Sequence, residues 1–306
     1  MKAVIYNKYG SPNVLKIKDI AKPKPKDDEI LVKIYSATVT SGDVRLRSSD
    51  FPPLFWLPAR LIFGLFKPKK KILGHELAGI VEDVGKRVTE FKVGDSVFGT
   101  TTMLHTGSYA EYICLPQQWK NGVVGIKPKN LNYQESAALP VGAMTAMFLL
   151  EKANLAKGQS VLIYGASGSV GSYAVQISNQ KGSSVTGVCS TSNFEMVKSL
   201  GAKNVIDYKK EDFSKRNEKF DIVFDAVGKT AKTKAKRVLK VGGNFVSVKM
   251  LTKEKAEHLK LIKTLAEEGK LKPFIDKSFK LDDIEKAHEY VETGRKRGNV
   301  VIEVSK

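Results

Sequence analysis

Cysteine is nearly absent: Cys114 and Cys189 are the only two in 306 residues. Two well-separated thiols cannot build a disulfide framework, nor supply the four closely spaced cysteines of a closed structural zinc site. Long apolar runs are missing too, since none reaches the roughly 18 residues that a membrane-spanning helix requires. The start, Met1-Lys2-Ala3-Val4, lacks the pattern of a secretory leader. A soluble, cytoplasmic protein is the expectation. Acidic side chains are in deficit, 32 against 51 basic, for a net charge of +19. Such a field draws anionic ligands and also favours nonspecific contact with nucleic acid. Basic residues cluster at Lys67-Pro68-Lys69-Lys70-Lys71, over Lys229–Lys240 and at Arg295-Lys296-Arg297. The aromatics gather in one apolar segment instead of interleaving with these clusters, so a nucleic acid is not the expected partner.

One segment carries the clearest signal. Val161-Leu162-Ile163-Tyr164 reads as a strand, Gly165-Ala166-Ser167-Gly168-Ser169-Val170-Gly171 as a glycine-punctuated turn, and Ser172-Tyr173-Ala174-Val175-Gln176-Ile177 as a helix. A helix N-terminus after such a turn offers unpaired N–H groups and a positive dipole end to a pyrophosphate. Gly168 lets the backbone approach the ligand, and Gly171 lets helix and sheet pack closely. Ala166 stands at the first glycine of the usual pattern, giving AxGxxG, and the strand–turn–helix context makes the match credible. Ala166, Ser167, Gly168, Ser169, Val170 and Gly171 are therefore candidate cofactor-binding residues.

The next strand, Ser184–Val188, ends at Cys189-Ser190-Thr191-Ser192-Asn193. An NAD site carries an acidic residue about 20 positions beyond the glycines, for the ribose 2′-hydroxyl. Here hydroxyls and an amide stand instead, with Lys198 a turn further on, and these suit a 2′-phosphate, which a carboxylate would repel. NADPH is the expected cofactor, bound through Ser190, Thr191 and Asn193. The alternative reading is that Ser190 and Thr191 merely cap the next helix, and one residue can do both. Further strands at Asn204–Asp207, Asp221–Val227 and Asn244–Val248, separated by helices over Phe194–Leu200 and Ala231–Leu239, complete a parallel sheet covered on both faces. Ligands sit at the carboxyl ends of such strands, which places Val227, Gly228 and Ser247 near ribose and nicotinamide.

Residues 1–125 differ. Short alternating strands at Lys2–Tyr6, Glu29–Ala37, Leu77–Val84, Ser96–Phe98 and Ala110–Leu115, broken by Pro and Gly, indicate a small coiled β-barrel. The tail strand Asn299–Val304 has no helical partner and is expected to return to it. The expected division is 1–125 with 272–306 as the substrate domain, and 126–271 as the dinucleotide domain.

With both halves read, the chain resembles the medium-chain dehydrogenase/reductase superfamily, and within it the zinc-independent quinone oxidoreductases, zeta-crystallin included. Gly74-His75-Glu76-Leu77-Ala78-Gly79-Ile80-Val81-Glu82-Asp83-Val84-Gly85 matches the GHExxGxVxxVG segment, and Phe91-Lys92-Val93-Gly94-Asp95-Ser96-Val97 matches the FxxGDxV turn. The resemblance implies a Rossmann doubly wound sheet joined to a GroES-like β-barrel catalytic domain. Zinc-dependent members hold their catalytic metal with Cys, His-Glu and a later Cys or Asp. Thr40 stands at the first position here and Pro140 near the last, so no metal site is expected, and His75 is read as a polar residue retained near the interdomain cleft. The resemblance further implies Thr40 and Thr145 as catalytic residues beside the nicotinamide, Tyr208 by the 2′-phosphate, and Arg297 or Lys296 reaching that phosphate. Asn193 stands where some relatives have Lys, and Arg45 where some have Tyr.

Hydride transfer from NADPH to a small hydrophobic quinone or an α,β-unsaturated carbonyl is the expected activity, a donor steadying the developing oxyanion. A zinc alcohol dehydrogenase and a non-catalytic NADPH-binding sensor or RNA-binding protein are the alternatives. The apolar segment Phe51–Phe66 is open to three readings: ordinary core, a flexible wall over the substrate cleft, or a loop dipping into a lipid surface. Relatives carry more chain between Val248 and a helix expected near Thr252, where Lys249-Met250-Leu251 leaves little room. That extra chain forms the last strand of a dimer-spanning sheet, so a monomer or an atypical homodimer is expected.

Overall fold

The computed structural model describes residues 1–230 and 232–305, with the side chains of Leu54 and Phe55 left out. Two compact units divide the chain: Met1–Pro140 with the segment from Ile275 onward, and Val141–Phe274.

The first unit begins with a hairpin of β1 (Lys2–Ile5) and β2 (Lys16–Asp19). There follow β3 (Glu29–Thr38), α1 (Ser41–Ser48), α2 (Pro53–Phe63), β4 (Glu76–Val84), β5 (Ser96–Thr100), β6 (Tyr112–Pro116), β7 (Val124–Ile126) and α3 (Tyr133–Ala137). β3 organises this unit. One of its edges carries β4, and the other is shared, β6 pairing along Glu29–Lys33 and the C-terminal strand along Ser36–Thr38. Register shifts between Leu31 and Val32 and between Ile34 and Ser36 bend the strand, the usual way a sheet coils on itself. Ile30, Val32 and Ile34 face inward against Leu77, Val81, Val97, Ile113 and Leu115, all buried.

The second unit contains α4 (Pro140–Lys152), β8 (Ser160–Tyr164), α5 (Ser169–Gln180), β9 (Ser184–Cys189), α6 (Phe194–Ser199), β10 (Asn204–Asp207), β11 (Phe220–Asp225), α7 (Lys232–Lys236), β12 (Leu239–Ser247) and α8 (Ala256–Glu267). Its sheet is wholly parallel in the order β10-β9-β8-β11-β12. The order reverses at β8, the doubly wound pattern, and the carboxyl ends beside that reversal are where dinucleotides bind. The first unit is completed by β13 (Ile275–Lys280), α9 (Ile284–Glu292) and β14 (Asn299–Glu303), with β14 pairing β3 as its lack of a following helix indicated.

Several sequence expectations need correction. The first division falls after Pro140 rather than 125, because β7 pairs β5 and α3 packs on β3 and β4. The second falls after Phe274 rather than 271. The helix expected over 231–239 is only Lys232–Lys236: Ala231 lies outside the described residues, and Leu239 already pairs with Phe220 as the first residue of β12. The helix expected near Thr252 begins at Ala256. The segment Phe51–Phe66 is not ordinary core: it contains the helix α2, whose Trp56, Leu57, Leu61 and Ile62 are exposed.

Candidate active site

In the second unit, the turn after β8 forms a cradle that depends on glycine at 165 and 171. Gly165 has φ +82°, and a Cβ there would lie 2.3 Å from Val227 Cγ2. A Cβ on Gly171 would lie 2.1 Å from the Gly165 carbonyl oxygen, so the first turn of α5 rests directly on the turn that feeds it. Gly168 is different: a Cβ there would meet only the Gly165 oxygen, at 3.5 Å. Its face is open, and as N-cap of α5 it brings no side-chain acceptor to the helix end. That combination suits a ligand anion at the helix N-terminus. Ala166 is buried, while Ser167, Ser169 and Val170 line the half-exposed turn. Gly142 of α4 packs against this turn, since its Cβ would fall 2.5 Å from Ser169 Oγ. Thr145 follows about one helical turn later on α4 and is half-buried.

Asn193 ties the end of β9 to the cradle, donating from Nδ2 to Ser167 Oγ and to Ser190 Oγ, each at 3.1 Å. Thr191 behaves otherwise than the sequence led us to expect. Its hydroxyl donates to Asp207 Oδ2, and its N–H reaches the same oxygen at 3.3 Å. The proton expected to serve a 2′-phosphate is therefore spent inside the protein. The Thr191 hydroxyl, and then the N–H of Lys209, hold the Asp207 carboxyl below its ordinary pKa. Tyr208 is half exposed, its ring 6.5 Å from that of Tyr164, and the exposed Lys209 and Lys210 follow it. These lysines were missed, although their signal was plain: a basic pair directly after a parallel strand. Lys198 lies 3.8 Å from the Glu195 carboxylate on its own helix.

A second missed residue is Asp225, fully buried at the end of β11. Its Oδ1 accepts the N–H groups of Val227 and Gly228 at 3.0 and 2.9 Å, and Oδ2 accepts Thr230 N–H at 3.0 Å and the Ser247 hydroxyl at 3.2 Å. One carboxylate thus brings together the three residues expected near the ribose and nicotinamide. The structure gathers the glycine turn, Ser190, Asn193, Val227, Gly228 and Ser247 at the carboxyl ends of neighbouring strands of one sheet.

Thr40 and Arg297 belong to the first unit. Thr40 caps α1, forming a reciprocal box with Asp43: its hydroxyl donates to Asp43 Oδ2 at 2.6 Å and accepts Asp43 N–H at 3.0 Å. Its proton is committed to Asp43. Asp43 Oδ1 receives Gly74 N–H at 3.0 Å and lies 2.7 Å from His75 Nδ1. Burial alone would raise the Asp43 pKa, but the His75 charge and the hydrogen bonds of His75 and Thr40 outweigh it and hold the carboxyl well below the usual range. The His75 ring keeps 20% of its side-chain surface exposed. A Cβ on Gly42 would come within 4.0 Å of His75 Cε1, so glycine there leaves that side of the ring clear.

The donor set does not fit a catalytic zinc. Thr40 and Pro140, at the positions of the outer ligands, offer neither thiolate nor carboxylate, and the buried Glu76 carboxylate takes the Thr38 hydroxyl. Among the described residues no three His, Cys, Asp or Glu side chains converge as a metal site. Arg297 is held inside its own unit, with Nε 3.0 Å from Asp276 Oδ1 and its N–H on Oδ2 at 2.9 Å. The Lys296 ammonium donates to the Gly298 carbonyl at 2.7 Å.

Comparison with known proteins gives the same picture. Residues 26–128 match the alcohol dehydrogenase GroES-like domain. The zinc-binding dehydrogenase model matches in two pieces, 200–254 and 247–302, which meet where β12 passes to α8. The chain is 36% identical to 2-methylene-furan-3-one reductase of Solanum lycopersicum, covering 99% of this chain and 79% of that protein. It is 31% identical to the chloroplastic NADPH-dependent alkenal/one oxidoreductase of Arabidopsis thaliana, with the same coverage. The quinone oxidoreductase of Coxiella burnetii superposes with a TM-score of 0.89 at 29% identity, covering 100% of this chain and 99% of that one. No helix among the described residues is long and apolar enough to cross a membrane. Taken together, the coiled β-unit, the doubly wound sheet and these relatives establish that the chain is an oxidoreductase of the medium-chain dehydrogenase/reductase superfamily, belonging to its quinone oxidoreductase branch.

Proposed function

We propose that the protein uses NADPH to reduce a conjugated carbonyl acceptor, a quinone or an α,β-unsaturated ketone or aldehyde, without zinc. One observation carries the cofactor half: the open, uncapped glycine turn at α5 adjoins a β9 end whose exposed groups are hydroxyls and an amide, with Lys209 and Lys210 at the end of the neighbouring β10. Ser190, Ser192, Asn193 and the two lysines would hold the 2′-phosphate, with Tyr208 beside it. Asp207 is occupied by Thr191 and by the Lys209 N–H. Val227, Gly228 and Ser247 would line the ribose, and Thr145 the nicotinamide. When bound, the nicotinamide supplies the hydride.

The acceptor half rests on chemistry and on kinship. A conjugated acceptor needs no Lewis acid, because hydride enters at carbon and the charge arrives on an oxygen that a hydrogen-bond donor can steady. In the first unit His75 would be that donor: with Nδ1–H on the Asp43 carboxylate and part of its ring open, its imidazolium form would donate from Nε2. Thr40 serves by capping the helix that carries Asp43. Two relatives bear names of conjugated substrates, 2-methylene-furan-3-one and alkenal/one, and one of those names specifies NADPH. A cytoplasmic location belongs to the same proposal, as does a monomer or a dimer built away from β12, which ends the sheet.

The test is turnover of NADPH and NADH with enones, quinones and saturated aldehydes, with and without a chelator. Chelator-resistant consumption of NADPH with conjugated acceptors is the expected result. Turnover confined to saturated aldehydes or alcohols, or abolished by chelation, would overturn the proposal.

A further inference from the structure

The surface of α2 inverts the rule for a helix of a water-soluble protein. Its sequence, Pro53-Leu54-Phe55-Trp56-Leu57-Pro58-Ala59-Arg60-Leu61-Ile62-Phe63, has one polar side chain. A surface helix normally turns its apolar stripe inward and polar residues outward. Here Trp56, Leu57, Leu61 and Ile62 are exposed, and Leu65 and Phe66 just beyond the helix are exposed as well, Phe66 by 88%. Six large apolar side chains thus meet water within eleven residues, where soluble monomers keep such patches small.

The helix is not a loose flap. The Tyr9 hydroxyl donates to the carbonyls of Phe63 and Gly64 at 3.0 and 2.8 Å, and Lys69 N–H reaches the Phe63 carbonyl at 2.9 Å. The Arg60 guanidinium stacks 4.0 Å from the Tyr9 ring centre and donates to Ser49 Oγ at 3.1 Å and to the Leu65 carbonyl. Arg60, the one polar residue of α2, is therefore turned to its own unit while Trp56, Leu57, Leu61 and Ile62 are held outward.

Charge decides what fits. From Phe51 to His75 the sequence has no acidic residue, and it carries Arg60, Lys67, Lys69, Lys70 and Lys71. Lys67, Lys69 and Lys71 are exposed. A protein partner would need directional hydrogen bonds, about one per 100–200 Å² of interface, and the exposed side chains of α2 offer only the indole N–H of Trp56. A lipid surface needs none: apolar side chains enter the acyl boundary, tryptophan settles at headgroup depth, and lysines meet anionic headgroups. We propose that α2 and the lysines that follow it are a docking site for a membrane surface bearing anionic lipids. The protein would bind at the interface without spanning it. The inference stands apart from the proposed reaction.

The experiment is flotation of the full-length protein with vesicles of phosphatidylcholine alone or mixed with phosphatidylglycerol, together with Trp56 emission in a Trp119→Phe background. Binding to the anionic vesicles with a blue shift of Trp56 is expected. Leu61→Ser with Ile62→Ser should lower partitioning at least about ten-fold, and Lys67→Gln or Lys71→Gln about five-fold each. Thermal melting confirms that the variants are folded. Failure of the intact chain to bind anionic vesicles would overturn the proposal. So would binding untouched by the Leu61/Ile62 change, which would reduce the effect to the overall charge. A dimer in solution that Leu61→Ser with Ile62→Ser dissociates, with no vesicle binding, would assign the face to a second copy instead.

Discussion

His75 Nδ1 lies 2.7 Å from Oδ1 of Asp43, a carboxylate with no exposed surface that also accepts two hydrogen bonds from Thr40 and one from Gly74. Asp43 thereby fixes the start of α1 and the ring of His75 together. Asp43→Asn replaces one acceptor oxygen by an NH₂ group facing donors, and should cost about 2–4 kcal/mol of stability in urea unfolding. Because the folded pKa lies below the ordinary 3.8, the stabilisation from Asp43 is fully present above that pH. It is lost only as the pH falls through the lower, folded value.

His75→Ala leaves Asp43 its Thr40 and Gly74 partners, so the fold should hold. If His75 steadies the substrate oxygen, kcat with an enone should fall about 10²-fold while NADPH affinity is unchanged. Steady-state kinetics beside a fluorescence titration of NADPH separates the two.

Acid sensitivity should come from His288 instead. It is wholly buried, neither ring nitrogen has a hydrogen-bond partner among the described residues, and it packs edge-on to Tyr109 at 5.7 Å. Burial pushes its pKa down from 6.5 to about 3, against the pull of Asp43 and with the help of Arg47. The unfolded chain therefore takes up a proton first. Stability present above pH 6.5 should be lost at about 1.4 kcal/mol per pH unit as the pH falls from 6.5 toward 3. His288→Leu, which removes two unpaired polar atoms, should abolish this slope without loss of stability at neutral pH.

Gly171 and Gly168 give a clean contrast. Gly171→Ala drives a Cβ to 2.1 Å from the Gly165 carbonyl, and should destabilise by about 1–3 kcal/mol and disrupt NADPH binding with it. Gly168→Ala meets only an oxygen at 3.5 Å. It should melt near the wild-type temperature yet bind NADPH at least about ten-fold more weakly, because its methyl occupies space meant for pyrophosphate.

Lys209→Ala with Lys210→Ala should raise KM for NADPH about ten-fold and leave that for NADH nearly unchanged. The difference should shrink as salt screens the exposed charges.

Much of this was legible in the sequence where one local pattern carries one structural role. The AxGxxG turn announced the cradle, the apolar runs announced the parallel strands, and the short passage after Val248 foretold a sheet that stops at β12. What escaped were partnerships. Nothing in the spacing of Thr191 and Asp207 shows that a hydroxyl will be spent on a carboxylate of the next strand. The Thr40–Asp43 box is a T-x-x-D signature and could have been recognised as a cap; reading Thr40 through its place in the family hid it. The helix α2 was obscured because Pro52, Pro53 and Pro58 signal breaks, although a proline at the first helical position is well tolerated.

The central claim is that hydride reaches a carbon conjugated to a carbonyl, and the position of an isotope tests it most directly. NADPH deuterated at the transferring carbon is supplied with an enone, and the product is located by NMR. The account predicts deuterium at the β-carbon with the carbonyl retained, in a chelator-insensitive reaction. Deuterium at the carbonyl carbon of an allylic alcohol would contradict it.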